Sequence, residues 1–376
     1  DSKFMKPTEE KIIIGLMTGT SADSLDCAAV SFKGNEMKVI GLSNYALPKK
    51  IQNEIFGLSN SNLIDESKLK AIDEKLGEFF LEKTRHFLKT QSIEPNEVYA
   101  IGSHGQTIKH EPNSSSPISI QIGDPQIISD DLEITTVANF RQDDLEAGGQ
   151  GAPLSPLFHR EMFFSEVEER VIINIGGITN VSFLSKEKLL GFDTGPGNCL
   201  MDFWSRKNQI GPFDNNGSWA KSGNINEQLL DIMISDDFFS KLPPKSTGPD
   251  YFGSKWLEQC LNSLKKNLSP EDVQCTLAEL TALSLSNSLS SVKNTHNHLY
   301  LCGGGAQNSF LMERIEDLSS TKCFTTSDLG VDPDFLEAIC FAWLAKQRLE
   351  NRKFRMTEIT GSKKEVFLGR VYYPSK

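Results

Sequence analysis

The stretch GFDTGPGN, residues 191–198, sets one carboxylate, Asp193, among residues with little or no side chain. An acid in such company suggests that something large must come very close to the backbone there. Glycine and other small residues leave the room for such an approach. The plainer reading is an acid at the head of a loop that closes a turn. Three further glycine-bearing segments follow apolar runs: MTGTSADS at 17–24, IGGITN at 175–180 and CGGGAQN at 302–308. Glycine lets backbone N–H groups approach phosphate oxygens, and Thr or Ser hydroxyls add donors. One such loop is usually only a connector; three beside DTGPGN point to nucleotide binding. Asp23 and Asp26 would sit poorly beside phosphate without a divalent cation, and Mg²⁺ bound through one or two carboxylates is the usual arrangement. Asp23 could equally be a turn carboxylate. The GxxxxGK[ST] and GxGxxG fingerprints are absent from the sequence.

The elements that must carry these groups alternate in type. KIIIGLMTGTSADSLDCAAVSF (11–32) reads as a hairpin with a polar tip, and RVIINIGGITNVSFL (170–184) repeats the design. Two such hairpins suggest paired domains. Leu69, Ile72, Leu76, Phe79, Phe80 and Phe87 fall at helical spacing within 66–90. VYAIGSHGQTI, SIQIGD, EITTVANF and the closing VFLGRVYYP are strand candidates; helices are expected from Thr276 and from Asp334. The mixture implies α/β domains, and 376 residues exceed what one core usually serves.

A formal charge of -11 argues against a nucleic-acid backbone or an anionic membrane as main partner. Seven scattered cysteines without a CxxC pair fit reduced thiols in a cytoplasm better than zinc or disulfides. The opening DSKFMKPTEEK carries no apolar signal region, Met5 is a candidate natural start, and no window approaches a membrane span.

Taken in order, GLMTGTSADSLD, SHGQTIKH, NFRQDDLEAGGQGAPL, NIGGITNVSF, FDTGPGN, PPKSTGPDYF, TLAELTA, CGGGAQN, DPDFLEAICFAWLA and LGRVYY resemble the anhydro-N-acetylmuramic acid kinases, with levoglucosan kinases as near relatives. The resemblance runs from residue 12 to about 373 and implies an actin-like, sugar-kinase-type (ribonuclease H-like) α/β fold. Two domains would close on ATP and sugar, one from 1–140 with 360–376 and the other from 141–359. It implies phosphorylation of the 6-oxygen of 1,6-anhydro-N-acetylmuramic acid while water opens the anhydro bridge, in cell-wall sugar recycling. Asp193 becomes the base for that water. Gly19, Thr20, Ser21, Ala22, Asp23, Ser24, Leu25 and Asp26 form the phosphate segment, joined by Gly176 and Gly177. Gly303, Gly304, Gly305 and Asn308 resemble the adenosine-side loop, and Asp23 and Glu337 correspond to acids that hold Mg²⁺. His104, Gln106, Arg141, Asp144, Gly149, Gln150 and Asp193 are the sugar candidates. Arg141 could clamp the lactyl carboxylate bidentately; His104 could instead be a structural histidine, and Glu337 a solvated helix acid. A homodimer is a further implication of the resemblance.

Four positions depart from the family pattern. Ser24 replaces a glycine where positive φ would be easy, Asn139 an aspartate, Pro249 an arginine, and Glu146 a small residue. Other readings of the same loops remain open: a levoglucosan or hexose kinase, an actin-like ATP switch without sugar chemistry, or a phosphatase.

Overall fold

The computed structural model describes residues 10–375 apart from 35, 60, 62–63, 113, 187–188, 265 and 293–297. Met5 and the segment around it lie outside the described residues. The strands are β1 (Lys11–Thr18), β2 (Ser24–Lys33), β3 (Glu36–Ala46), β4 (Val98–Ser103), β5 (Gln106–Glu111), β6 (Ile118–Ile122) and β7 (Thr136–Ala138), then β8 (Arg170–Ile175), β9 (Ile178–Leu184), β10 (Leu189–Pro196), β11 (His298–Cys302), β12 (Cys323–Thr325) and β13 (Arg370–Tyr372). They separate into two compact units: residues 1–151, 335–357 and 361–376 form one, and residues 152–334 with 358–360 form the other.

The first unit holds a six-stranded sheet ordered β13-β7-β4-β1-β2-β3. β1 runs antiparallel to β2 and parallel to β4, so the 11–32 hairpin forms as its apolar runs imply. One face packs on the Glu66–Thr90 helix, which Asp65 caps by accepting from the Ser67 and Lys68 amides. Ile72, Leu76, Phe80 and Phe87 of this helix join Ile14, Leu16, Leu25 and Ile101 in one core. Gly15 and Gly102 lie on the other face. There a Cβ on Gly15 would fall inside the Ala338 carbonyl, and one on Gly102 inside that of Phe341. The Leu336–Leu349 helix therefore lies directly on the strand backbones, with Ala342 and Ala345 keeping the approach close. This corrects the expected division. Residues 141–151 and the helix from Asp334, assigned to the second domain, pack with the first.

The second unit holds a five-stranded sheet ordered β10-β9-β8-β11-β12. β8, β9 and β10 form an antiparallel meander, and β8, β11 and β12 run parallel. In each sheet three meandering strands are followed by parallel strands added on the side of the first. This ribonuclease H-like pattern occurs twice in the chain, and the two matching hairpins are its visible trace. Val171, Ile173, Phe183, Leu299 and Leu301 pack against Leu277, Ala278 and Leu285. Those last three belong to the Pro270–Ser291 helix, which begins six residues before the expected Thr276 because Ser269 caps it, accepting from the Asp272 amide at 3.2 Å. Two strand candidates are shorter than their apolar runs: only Thr136–Ala138 and Arg370–Tyr372 pair, with each other and antiparallel.

Candidate active site

The first unit presents its polar turn where β1 gives way to β2. Ala22 N donates to Gly19 O at 3.1 Å, and Ser21 Oγ donates to Asp23 Oδ1 at 2.7 Å. Thr20, Ser21 and Asp23 are exposed at the tip. Positive φ falls on Ala22 (49°), while Ser24 opens β2, so a serine at 24 carries no left-handed strain. Leu25 and Asp26 belong to the strand rather than to the polar turn. Leu25 is wholly buried, and Asp26 Oδ1 accepts from Asn44 Nδ2 at 2.6 Å.

A hydrogen-bonded chain starts at the end of β1 and leads to the arginine. Gly105 O accepts both from Thr18 Oγ1 (2.9 Å) and from His104 Nδ1 (2.7 Å). A carbonyl only accepts, so the His104 proton sits on Nδ1 and Nε2 offers a lone pair. Arg141 Nη2 donates to that lone pair at 2.9 Å, and Arg141 Nη1 donates to Gly151 O at 2.9 Å. Gly151 N in turn donates to Asp144 Oδ2 at 2.7 Å. Burial first, then the Arg141 charge, hold the His104 imidazole neutral, well below its ordinary range. Two of the sugar candidates are thus engaged within the protein. His104 has both ring nitrogens engaged and orients Arg141. Asp144 is fully buried, and its carboxylate would overlap a Cβ on Gly149, so it organises the 148–151 loop. Gln106 Oε1 and Ser103 Oγ are buried without a hydrogen-bond partner, and Gln150 is half-buried. Asn139 adopts φ 54° and donates to the Tyr372 hydroxyl, so its amide serves a turn. Glu146 faces outward, paired with Arg370 at 3.1 Å.

In the second unit Asp193 lies inside β10, opposite Asn180 of β9, and not in a loop. The glycines follow it because the strand bulges between Asp193 and Gly195, where φ is 152°. A Cβ at Gly195 would meet the Phe239 ring at 2.7 Å. The next turn is pinned to the β8–β9 turn: Gly197 N donates to Gly177 O (2.9 Å) and Asn198 N to Gly176 O (2.8 Å). Thr281 of the Pro270–Ser291 helix donates to Pro196 O at 3.0 Å from behind. Gly303 has φ 75°, and a Cβ on it would overlap Asn174 Oδ1; one on Gly305 would overlap Ile175. Gly304 is exposed. Asn308 Oδ1 caps the Ser309–Ser319 helix by accepting from Leu311 N at 3.0 Å, which commits that oxygen to structure.

Asp193 is 5% exposed. Its N–H donates to Lys245 O at 3.1 Å, and its Oδ2 accepts from Thr247 N at 2.9 Å. Three buried oxygens of this unit, Asn174 Oδ1, Thr179 Oγ1 and Ser246 Oγ, have no hydrogen-bond partner. Lys245, Ser246, Asn174 and Thr281 were not singled out from sequence. The first two stand in PPKSTG and Asn174 one residue before IGG, so adjacency to glycine motifs was the available signal.

Among the described residues no group of three or more His, Cys, Asp or Glu could hold a metal by itself. Asp23, exposed, and Glu337, half-buried in the first turn of its helix, both belong to the first unit. Hard carboxylate oxygens, one or two in number, match a Mg²⁺ that keeps water and phosphate in its other positions.

Two ribonuclease H-like units bearing glycine turns at strand ends and one buried acid on a strand define an actin-like, sugar-kinase-type protein. The sequence profile described as "AnmK: Anhydro-N-acetylmuramic acid kinase" matches residues 11–374. The chain belongs to the anhydro-N-acetylmuramic acid kinase family. It is 42% identical over 367 residues to the anhydro-N-acetylmuramic acid kinase of Coxiella burnetii, covering 96% of this chain and 98% of that protein. The corresponding proteins of Saccharophagus degradans (42%, 98% and 100% covered) and Pasteurella multocida (41%, 96% and 97%) are similar to the same degree. Among solved structures, a ROK family glucokinase from Streptomyces griseus in complex with glucose and AMPPNP aligns over 89% of this chain and 99% of its own, at 12% identity and a TM-score of 0.40.

Proposed function

We propose that this chain is an ATP-dependent kinase that hydrolytically opens 1,6-anhydro-N-acetylmuramic acid and phosphorylates its 6-oxygen. The products are N-acetylmuramic acid 6-phosphate and ADP. The observation that carries the reading is Asp193: a buried carboxylate on a strand, one oxygen held by the Thr247 amide, with the glycines after it letting the chain pack closely on Phe239 and the β8–β9 turn.

In the anhydro sugar the anomeric carbon and the 6-oxygen share one bridge, so no free hydroxyl exists to be phosphorylated. Asp193 takes a proton from water as the water oxygen bonds to the anomeric carbon. The bond from that carbon to the 6-oxygen breaks, the 6-oxygen bonds to the γ-phosphorus, and ADP departs with the electrons of the broken phosphoanhydride bond. Gly19, Thr20 and Ser21 with Gly176 and Gly177 hold the phosphates, and Gly303–Gly305 take the adenosine side. Asp23 and Glu337 would hold Mg²⁺, which supplies charge neutralisation of the phosphates. Arg141, oriented by His104 and Gly151, binds the lactyl carboxylate. Gln106, Gly149 and Gln150 line the sugar.

Seven free cysteines suit a reducing cytoplasm. No helix among the described residues is long and apolar enough to cross a membrane. A homodimer is proposed alongside and is checked by the mass in solution.

The deciding experiment measures ADP release with anhydro-N-acetylmuramic acid, levoglucosan and glucose separately, then mass spectrometry of the product made in ¹⁸O-labelled water. Release with the muramic sugar, with label at the anomeric hydroxyl, is expected. Release with no sugar would instead support a nucleotide switch, and label on phosphate a plain ATP hydrolase.

A further inference from the structure

We propose that Thr281 is a positioning residue for the nucleotide phosphates: its buried hydroxyl, acting through hydrogen-bonded peptide units, holds the β8–β9 turn with the Gly177 amide turned toward a ligand. The inference rests on the reading of Gly176 and Gly177 as phosphate donors and names the group that sets them.

Thr281 lies in TLAELTA (276–282) on the Pro270–Ser291 helix and is 1% exposed. A threonine inside a helix commonly returns its proton to the carbonyl four residues back. Thr276 of the same helix does so, with Oγ1 2.7 Å from Asp272 O. At Thr281 the corresponding bond, to Leu277 O, is the longest of three at 3.4 Å. Its Oγ1 instead lies 3.0 Å from Pro196 O and 3.2 Å from Gly197 O. The hydroxyl proton is thus shared mainly between two carbonyls of the turn that follows Asp193.

Both of those peptide units are also held at their other ends. In a trans peptide the C=O and N–H point opposite ways. The N–H beyond the Pro196 carbonyl, that of Gly197, donates to Gly177 O at 2.9 Å. The N–H beyond the Gly197 carbonyl, that of Asn198, donates to Gly176 O at 2.8 Å. By the same geometry the Gly177 N–H, in the unit whose carbonyl meets Asn198, points away from this turn. Neither Gly176 N nor Gly177 N has a hydrogen-bond partner among the described residues, and both glycines are half-buried. One chain of bonds therefore runs from Thr281 through the Gly197–Asn198 peptide to the Gly176–Gly177 peptide and ends on an unpartnered N–H. Bonds in such a chain polarise one another, so those behind the Gly177 N–H strengthen it as a donor. A threonine placed only to pack the helix would leave that donor untouched.

The test compares Thr281→Val, which keeps the shape and loses the hydroxyl, and Thr281→Ser, which keeps the hydroxyl, with the wild type. Hydrogen exchange read by mass spectrometry without ligand should be about 10-fold faster over residues 194–199 in Thr281→Val, and near the wild-type rate in Thr281→Ser. Calorimetric titration should give a Kd for ATP raised roughly 5- to 20-fold in Thr281→Val and a Kd for adenosine within about twofold. Thr281→Ser should recover most of the ATP affinity. Should the valine variant fail to fold, Thr281→Ala also removes the hydroxyl and is read the same way. Unmoved exchange over 194–199 overturns the hold of Thr281 on the turn. ATP binding that is unchanged, or weakened only as much as adenosine binding, overturns the positioning role. Wild-type protein that binds ATP no more tightly than adenosine would overturn the phosphate reading of the two glycines. The exchange measurement needs no nucleotide, so it keeps that failure apart from a failure of Thr281 to hold the turn.

Discussion

At the scale of single residues the proposed chemistry divides between a base, Asp193, and a carboxylate binder, Arg141. Asp193→Asn keeps an oxygen for the Thr247 amide at the same place in β10, so that bond and the fold should persist. The variant loses the basicity alone. The expected outcome is ATP affinity near that of the wild type and kcat lower by about 10²- to 10⁴-fold, the usual worth of a general base. Calorimetric ATP titration with single-turnover kinetics checks both halves. Arg141→Met asks a different question. Its guanidinium donates to His104 through Nε and Nη2 and to Gly151 through Nη1, which fixes where its charge sits. A charge-assisted bond of about 1.5–3 kcal/mol converts to a KM for the muramic sugar raised about 10- to 100-fold, with the KM for ATP held. A uniform fall in all parameters would mark Arg141 as structural instead.

At the scale of elements, the helices that fill each core carry groups whose burial is felt as pH-dependent stability. His159 on the Ser155–Phe163 helix is buried against β9, with Nδ1 2.8 Å from Ser182 Oγ. Burial alone pushes its imidazole down to about 3. The folded form therefore stays neutral across a range in which the unfolded chain, near the ordinary value of about 6.5, takes up a proton. Stability from this group is complete above about 6.5 and is lost as pH falls from there toward about 3, at ~1.4 kcal/mol per pH unit. Urea melts at several pH values should show wild-type stability falling more steeply than that of His159→Gln, by about that slope. What the sequence shows of such elements depends on how local their causes are. Both hairpins and the Glu66–Thr90 helix were legible, because apolar spacing along the chain is what builds them. The strand around Asp193 was not, since DTGPG reads as turn until β9 is known to lie beside it. The Leu336–Leu349 helix was legible as a helix but not as a partner of Gly15 and Gly102, more than 200 positions earlier. Lys245 escaped for the same reason, being joined to Asp193 across 52 positions of chain. At Ser24 local reasoning placed the strained φ two residues too late, because the turn closes at Ala22.

For the molecule as a whole, the binding of metal follows from charge and ligand count together. The chain carries a formal charge of -11, and cations should gather weakly around it without a built site. No cluster of three metal-ligating side chains occurs among the described residues, whereas a dedicated protein-only cage would need more oxygens than the two proposed ligands, Asp23 and Glu337, could supply. The remaining positions must then come from phosphate and water, so Mg²⁺ should arrive with the nucleotide. The expected result is no saturable Mn²⁺ site by electron paramagnetic resonance in the protein alone, and one saturable site once ATP is added. Asp23→Asn should weaken that site while leaving metal-free ATP binding in place, and EDTA should abolish turnover reversibly. A tight metal site in the protein without nucleotide would contradict this division of ligands and call for a set of oxygens beyond these two acids.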